Sequence, residues 1–246
     1  MSHFFVTSAQ IAGDTLTILG DDVNHMKNVL RMRSGEAFTA ADENGMFYRC
    51  EIDELDKVQV TAKILWKEEG SSELSSKIYL FQGLPKSDKM ELIIQKAVEL
   101  GAYEIVPVST KRAIVKLDAK KEASKLKRWQ AIAEGAAKQS GRMLVPQIHE
   151  LMTFSEALQM AKTLDINVIP YECAKGMNGT REIFGSIKPG MSVGIFIGPE
   201  GGFEESEVDK AKEAGVHPVT LGKRILRTET AGLTTLSILM YLLEEE

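Results

Sequence analysis

Apolar residues recur along the chain in two different rhythms, a strand rhythm at the start and a mixed one afterwards. Residues 3–7 and 15–19 read as strands separated by the Gly13-Asp14 turn signal, and Asp21-Asp22 opens a short helix with Val23, Met26, Val29 and Leu30 on one side. Asn44-Gly45 is a two-residue hairpin signal. Beyond it Met46, Tyr48, Cys50 and Ile52 alternate with polar residues, as do Val58, Val60, Ala62, Ile64 and Trp66, the pattern of half-buried strands. The beginning of the chain therefore predicts a small β-barrel. The polar stretch 67–77, with Glu-Glu-Gly-Ser-Ser inside it, marks a boundary and gives domains of 1–70 and 71–246.

From residue 78 short apolar runs alternate with helical segments, which predicts an α/β domain with a parallel sheet. Strands are expected at 78–81, 105–108, 145–148, 166–171, 191–197 and 217–221. Helices are expected at 87–100, capped by Ser87 and stopped by Gly101, and at 119–139, 154–164, 203–214 and 230–243. Loops leaving the ends of parallel strands share one sheet edge, the usual place for a small ligand. Two of them are unusual. Residues 198–202 read Gly-Pro-Glu-Gly-Gly, a tight turn that leaves backbone open to a ligand. Residues 221–230 read Leu-Gly-Lys-Arg-Ile-Leu-Arg-Thr-Glu-Thr. A dinucleotide fingerprint is excluded by the glycine spacing and by a following strand that ends Thr220-Leu221-Gly222 without a carboxylate. A P-loop is excluded because Phe203 and Glu204 follow Gly202.

The two loops, at this separation, resemble the cofactor end of the SPOUT class of RNA methyltransferases, and within it the RsmE family. Asn-Val-Leu-Arg-Met-Arg at 28–33, Lys-Ser-Asp-Lys at 86–89, Gln-Lys-Ala-Val-Glu-Leu-Gly at 95–101 and Gln-Ser-Gly-Arg at 139–142 match further family pieces in the expected order, so the resemblance covers most of the chain. It implies methylation of N3 of a uridine in 16S ribosomal RNA of the small (30S) subunit, with S-adenosylmethionine as cofactor. It also implies an N-terminal PUA-like β-barrel that binds RNA, a trefoil knot in the C-terminal SPOUT-type parallel sheet, and a homodimer. Two alternatives stay open: a non-catalytic RNA-binding or ribosome-assembly factor, and a SPOUT methyltransferase acting on another RNA position.

Composition narrows the setting. The 246 residues are 43% apolar with a formal charge of −5. There is no apolar run of membrane-spanning length, and Met1-Ser2-His3 leads straight into a strand-like segment, so neither a membrane span nor a signal peptide is expected. Cys50 and Cys173 are far apart, as in reduced cytoplasmic proteins. Four scattered histidines offer no metal spacing, and no G-x-S-x-G elbow appears. Acidic residues gather at 42–73, before Lys210 and at 244–246, leaving room for a basic face elsewhere.

Methyl transfer from a sulfonium asks for alignment and electrostatics more than for a nucleophile. Expected cofactor residues are Gly198, Glu200, Gly202, Leu221, Gly222, Ile225, Leu226 and Thr230, with Tyr171 and Glu172 as a third wall; for Ile225 and Leu226, plain core packing is the competing reading. The lone pair of uridine N3 is tied up in the imide, so a base or an anion-stabilising cation is required; Arg227, Glu229 and Glu200 are the candidates. Basic residues suited to RNA are Arg31 and Arg33, Lys86 and Lys89, Arg112 beside Lys111 and Lys116, and Arg142 beside Lys138.

Overall fold

The computed structural model describes residues 2–69, 72–115, 117–174 and 176–244. Gly70 and Ser71 of the expected boundary, Lys116, and the terminal Glu245 and Glu246 lie outside the described residues. The chain divides into two compact units, Met1–Glu73 with Ala137–Val145, and Leu74–Ala136 with Pro146–Glu246. The segment at 137–145, which sequence reading assigns to the second domain, thus belongs to the first unit.

In the first unit β1 (His3–Val6), β2 (Ile11–Ala12), β3 (Thr15–Leu19), β4 (Ala37–Asp42), β5 (Met46–Leu55) and β6 (Gln59–Glu69) form one sheet in the order β1-β4-β5-β6-β3-β2. The outermost strands β1 and β2 are joined by only residues 7–10, so the sheet has to curl until its two edges approach. Phe4, Leu16, Ile18, Phe38, Ile52 and Met26 fill the interior. The Asn44-Gly45 hairpin is tied by buried Asp42, whose Oδ1 accepts from the N–H groups of Asn44 and Met46 at 2.9 and 3.0 Å, while Tyr48 donates its hydroxyl to Oδ2 at 2.8 Å. Burial pushes the Cys50 thiol up to about 12 and makes it inert.

The short helix departs from expectation. After α1 (Asp21–Asn24) the chain widens into a π-turn over His25–Val29, with Leu30 N–H donating to the His25 carbonyl. The extra residue in that turn rotates the end of the segment, so Met26 is buried but Val29 and Leu30 are 61% and 40% exposed. Arg31 closes the turn with φ of 55°.

The second unit is a parallel sheet of β7 (Lys77–Gly83), β8 (Ala102–Ser109), β9 (Gln147–Ile148), β10 (Met152–Thr153), β11 (Ile166–Pro170), β12 (Ser192–Ile197) and β13 (Val216–Val219). Its order is β10-β8-β7-β12-β11-β13, with β9 also on β8, and every pairing is parallel. The helices are α2 (Lys89–Glu99), α3 (Ala119–Ser140, whose residues from Ala137 onward fall in the first unit), α4 (Phe154–Ala161), α5 (Met177–Ser186), α6 (Glu205–Glu213) and α7 (Thr228–Leu243). Helix α5 has no counterpart in the sequence reading, since Gly179 and Gly185 dilute its pattern. Ser87 does not cap α2: it takes φ of 57°, and Asp88 occupies the cap position. After the edge strand β13 the chain returns to the middle, where α7 packs on α2, β12 and β7.

The core centres on Phe81 and Phe196, stacked at 4.4 Å on neighbouring strands. Phe196→Ala is expected to cost about 3–5 kcal/mol of stability, read from urea denaturation. A loss below about 1 kcal/mol would mean that this stack is not the centre of the core.

Candidate active site

Parallel strands end on one edge, and there the segments after β11, β12 and β13 enclose a cavity of about 430 Å³, a size suited to a small molecule. Its walls are residues 170–172, 197–203 and 220–228, with Lys89 from α2 and Ala231 from α7. The glycines at 198–202 are dictated by close approach. A Cβ on Gly198 would lie 3.0 Å from the carbonyl carbon of Gly202, and Gly202 itself has φ of 67°.

This turn is held from three directions. Thr228, the first residue of α7, donates its hydroxyl to the Gly198 carbonyl at 2.6 Å. The Glu200 carboxylate accepts from Lys86 N–H at 3.1 Å and pairs with the Lys89 ammonium at 3.1 Å. Arg112 donates through Nη1 to the Gly201 carbonyl and through Nε to Glu204, each at 3.0 Å. Buried Glu207 adds a fourth link, its two oxygens accepting from Glu204 and Lys111 N–H groups at 2.9 Å.

Lys89 also lies 3.3 Å from Glu229 and so bridges two carboxylates. The ion pair with Glu200, and after it the one with Glu229, raises the Lys89 pKa against partial desolvation. Burial pushes the Glu200 carboxyl up, but its own N–H, the Lys89 ammonium and the Lys86 N–H together hold it below the ordinary carboxylate value. A carboxylate so engaged is a poor proton acceptor, and Glu200 leaves the list of candidate bases for a structural role. Arg227 lines the cavity, is exposed, and makes no ion pair among the described residues.

The RNA methyltransferase domain family matches residues 72–240, and the RNA methyltransferase PUA domain family matches residues 18–65. Ribosomal RNA small subunit methyltransferase E of Bacillus subtilis (strain 168) is 39% identical over 98% of this chain and 96% of its own length. The chain belongs to the ribosomal RNA small subunit methyltransferase E family. Another member, from Mesomycoplasma hyopneumoniae (strain 232), is 35% identical over 96% of the chain and 98% of its own. The crystal structure of the family enzyme from Neisseria gonorrhoeae, bound to S-adenosylmethionine, superposes with a TM-score of 0.84 at 35% identity and covers 98% of both chains.

Within this family frame, the cavity brings together Tyr171, Glu172, Gly198, Glu200, Gly202, Leu221, Gly222, Ile225, Leu226 and Arg227. Ile225 is 84% exposed at the rim, which rules out core packing. Thr230 is not among them: it lies in a separate depression along α7 with Leu233, Ser237 and Tyr241. The helix begins at Thr228, two residues earlier than expected, and two residues turn a side chain through about 200°. Thr228, missed in the sequence, takes the cavity-facing position. Glu229 is not part of the cavity lining but pairs with Lys89, which is.

The basic candidates divide by partner. Arg31, Arg33 and Lys86 are exposed, with no side-chain partner among the described residues. Lys89 and Arg112 are turned toward the glycine turn. Arg142 is not on an RNA-facing surface as expected: its guanidinium is buried and held by both oxygens of Glu73, which also accepts the Met143 N–H at 2.9 Å. A guanidinium committed in this way is structural. Arg142→Met should lower stability by about 3 kcal/mol and leave the salt dependence of RNA binding unchanged. A flattened salt slope at unchanged stability would return Arg142 to the RNA surface.

Proposed function

We propose that this protein methylates N3 of a uridine in 16S ribosomal RNA of the small subunit, using S-adenosylmethionine held in the cavity at 198–202 and 220–228. The observation that carries this reading is the convergence of both motif loops, with Tyr171 and Glu172, on one cavity of suitable size. The residues present fit the cofactor. At 198–202 and 222 the missing side chains let a ligand lie directly against the backbone, and Ile225 and Leu226 provide apolar surface for an adenine face. When bound, the cofactor supplies a methyl group already activated by its sulfonium.

The work left to the protein is alignment and charge. Uridine N3 attacks only once its proton has passed to solvent water, and the negative charge this leaves is spread over N3, O2 and O4 until the new N–C bond forms. Arg227, a cavity guanidinium without a carboxylate partner among the described residues, stabilises that charge. The target base has to leave its stack to reach the cavity. The first unit grips neighbouring RNA through Arg31 and Arg33, whose exposure supports phosphate contact.

The same reading includes a cytoplasmic setting, a homodimer and the trefoil knot. Leu236, Leu239 and Leu243 of α7 are buried, whereas Ile238, Tyr241 and Leu242 are exposed and furnish an apolar face for a second copy. The return of the chain from edge strand β13 to the centre of the sheet supports the knot.

Labelled methyl transfer to 30S subunits and to naked 16S RNA, with nucleoside identification after nuclease digestion, should yield 3-methyluridine; label on another nucleoside would overturn the specificity. Gly202→Val forces a β-branched residue into left-handed backbone and should abolish calorimetric binding of S-adenosylmethionine while the protein stays folded. Unchanged affinity would sink the loop assignment. Replacing Arg31 and Arg33 with Ala should reduce the slope of log affinity against log salt by about 0.7–0.9 for each phosphate no longer neutralised. An unaltered slope would leave both as solvated charges.

A further inference from the structure

Beneath the 198–202 turn lies a buried polar chain that the cavity chemistry does not use directly. Gln82, next to last in β7, is completely enclosed. Its side-chain Nε2 donates to the Gly83 carbonyl and to the Thr228 hydroxyl, each at 2.9 Å. Thr228 has one hydroxyl proton and gives it to the Gly198 carbonyl at 2.6 Å. The bonds therefore run one way, from β7 through α7 to the first glycine of the turn. Segments far apart in sequence, at 82, 198 and 228, meet in two hydrogen bonds.

The arrangement carries a cost. The Gln82 Oε1 is buried without a hydrogen-bond partner among the described residues. A methionine at this sheet position would fill similar space with no orphaned acceptor. The glutamine gives up that advantage, and what it gains is control of the Thr228 hydroxyl. With its acceptor side occupied by Gln82, that hydroxyl has its donor direction set toward Gly198.

We infer that Gln82 and Thr228 are positioning residues for the methyl donor, holding the Gly198 carbonyl and with it the glycine backbone that forms the cavity wall. The inference rests on the reading of this cavity as the S-adenosylmethionine site. Gln82 lies outside the cavity lining and acts through Thr228.

The test measures calorimetric affinity for S-adenosylmethionine and the melting temperature without it, on the full chain and four variants. Thr228→Val keeps the shape and removes the hydroxyl, so affinity should fall by about tenfold or more. Thr228→Ser keeps the hydroxyl and should stay within about threefold of the parent protein. Gln82→Met should weaken binding, and the double variant Gln82→Met/Thr228→Val should bind no worse than Thr228→Val alone, because one residue acts through the other. Independent, additive losses would overturn the relay. So would lowered melting temperatures with unchanged affinity in the folded variants, which is the signature of a merely structural pair. If Thr228→Val fails to fold, Gln82→Met and Thr228→Ser decide: unchanged affinity in Gln82→Met refutes the inference. Absence of binding by the unmutated protein would refute the cofactor reading itself.

Discussion

A backbone turn can recognise a ligand only if something else holds the backbone still, and that constraint organises the second unit. Residues 198–202 carry three glycines, the residue type with the most freedom to lose on ordering. Their conformation is fixed from outside, by Thr228 on Gly198, by Lys86 and Lys89 on Glu200, and by Arg112 on Gly201. Each tether comes from a different strand-end segment of one parallel sheet. The turn is thus preorganised by the sheet, which suits a reaction whose catalysis is mostly alignment.

The electrostatics derive from the same architecture. A net charge of −5 sits awkwardly with an RNA substrate until the paired charges are separated from the unpaired ones. Lys89, Arg112 and Arg142 are committed to carboxylates. Lys223, Arg224 and Arg227 on one cavity wall, and Arg31 and Arg33 on the first unit, have no carboxylate partner among the described residues. Those are among the cations left to meet a polyanion. Their distribution matters more than the sum.

Much of this is legible in the sequence, and the failures have physical causes. The change from strand alternation to an α/β rhythm near residue 70 reflects which faces are buried, and periodicity reports that directly. The two loops are legible because glycine and proline constrain local backbone. Tethers are not, because Glu200 meets Lys89 across more than a hundred residues and a lone lysine reads the same whether paired or free. Arg112 and Arg142 read as RNA contacts for that reason. Thr230 reads as the cavity residue in place of Thr228 because helix boundaries are local and soft, and two residues reverse the direction of a side chain. Val29 and Leu30 look buried in sequence because a π-turn has no signature in hydrophobic spacing.

We propose that backbone at 198–202 and 220–228 forms the binding surface for the methyl donor. Amide hydrogen exchange across the whole chain, with and without S-adenosylmethionine, tests it most directly. Protection should rise at these two segments and around Tyr171, while the first unit changes little. Protection that leaves both segments unchanged and appears elsewhere in the chain would contradict it.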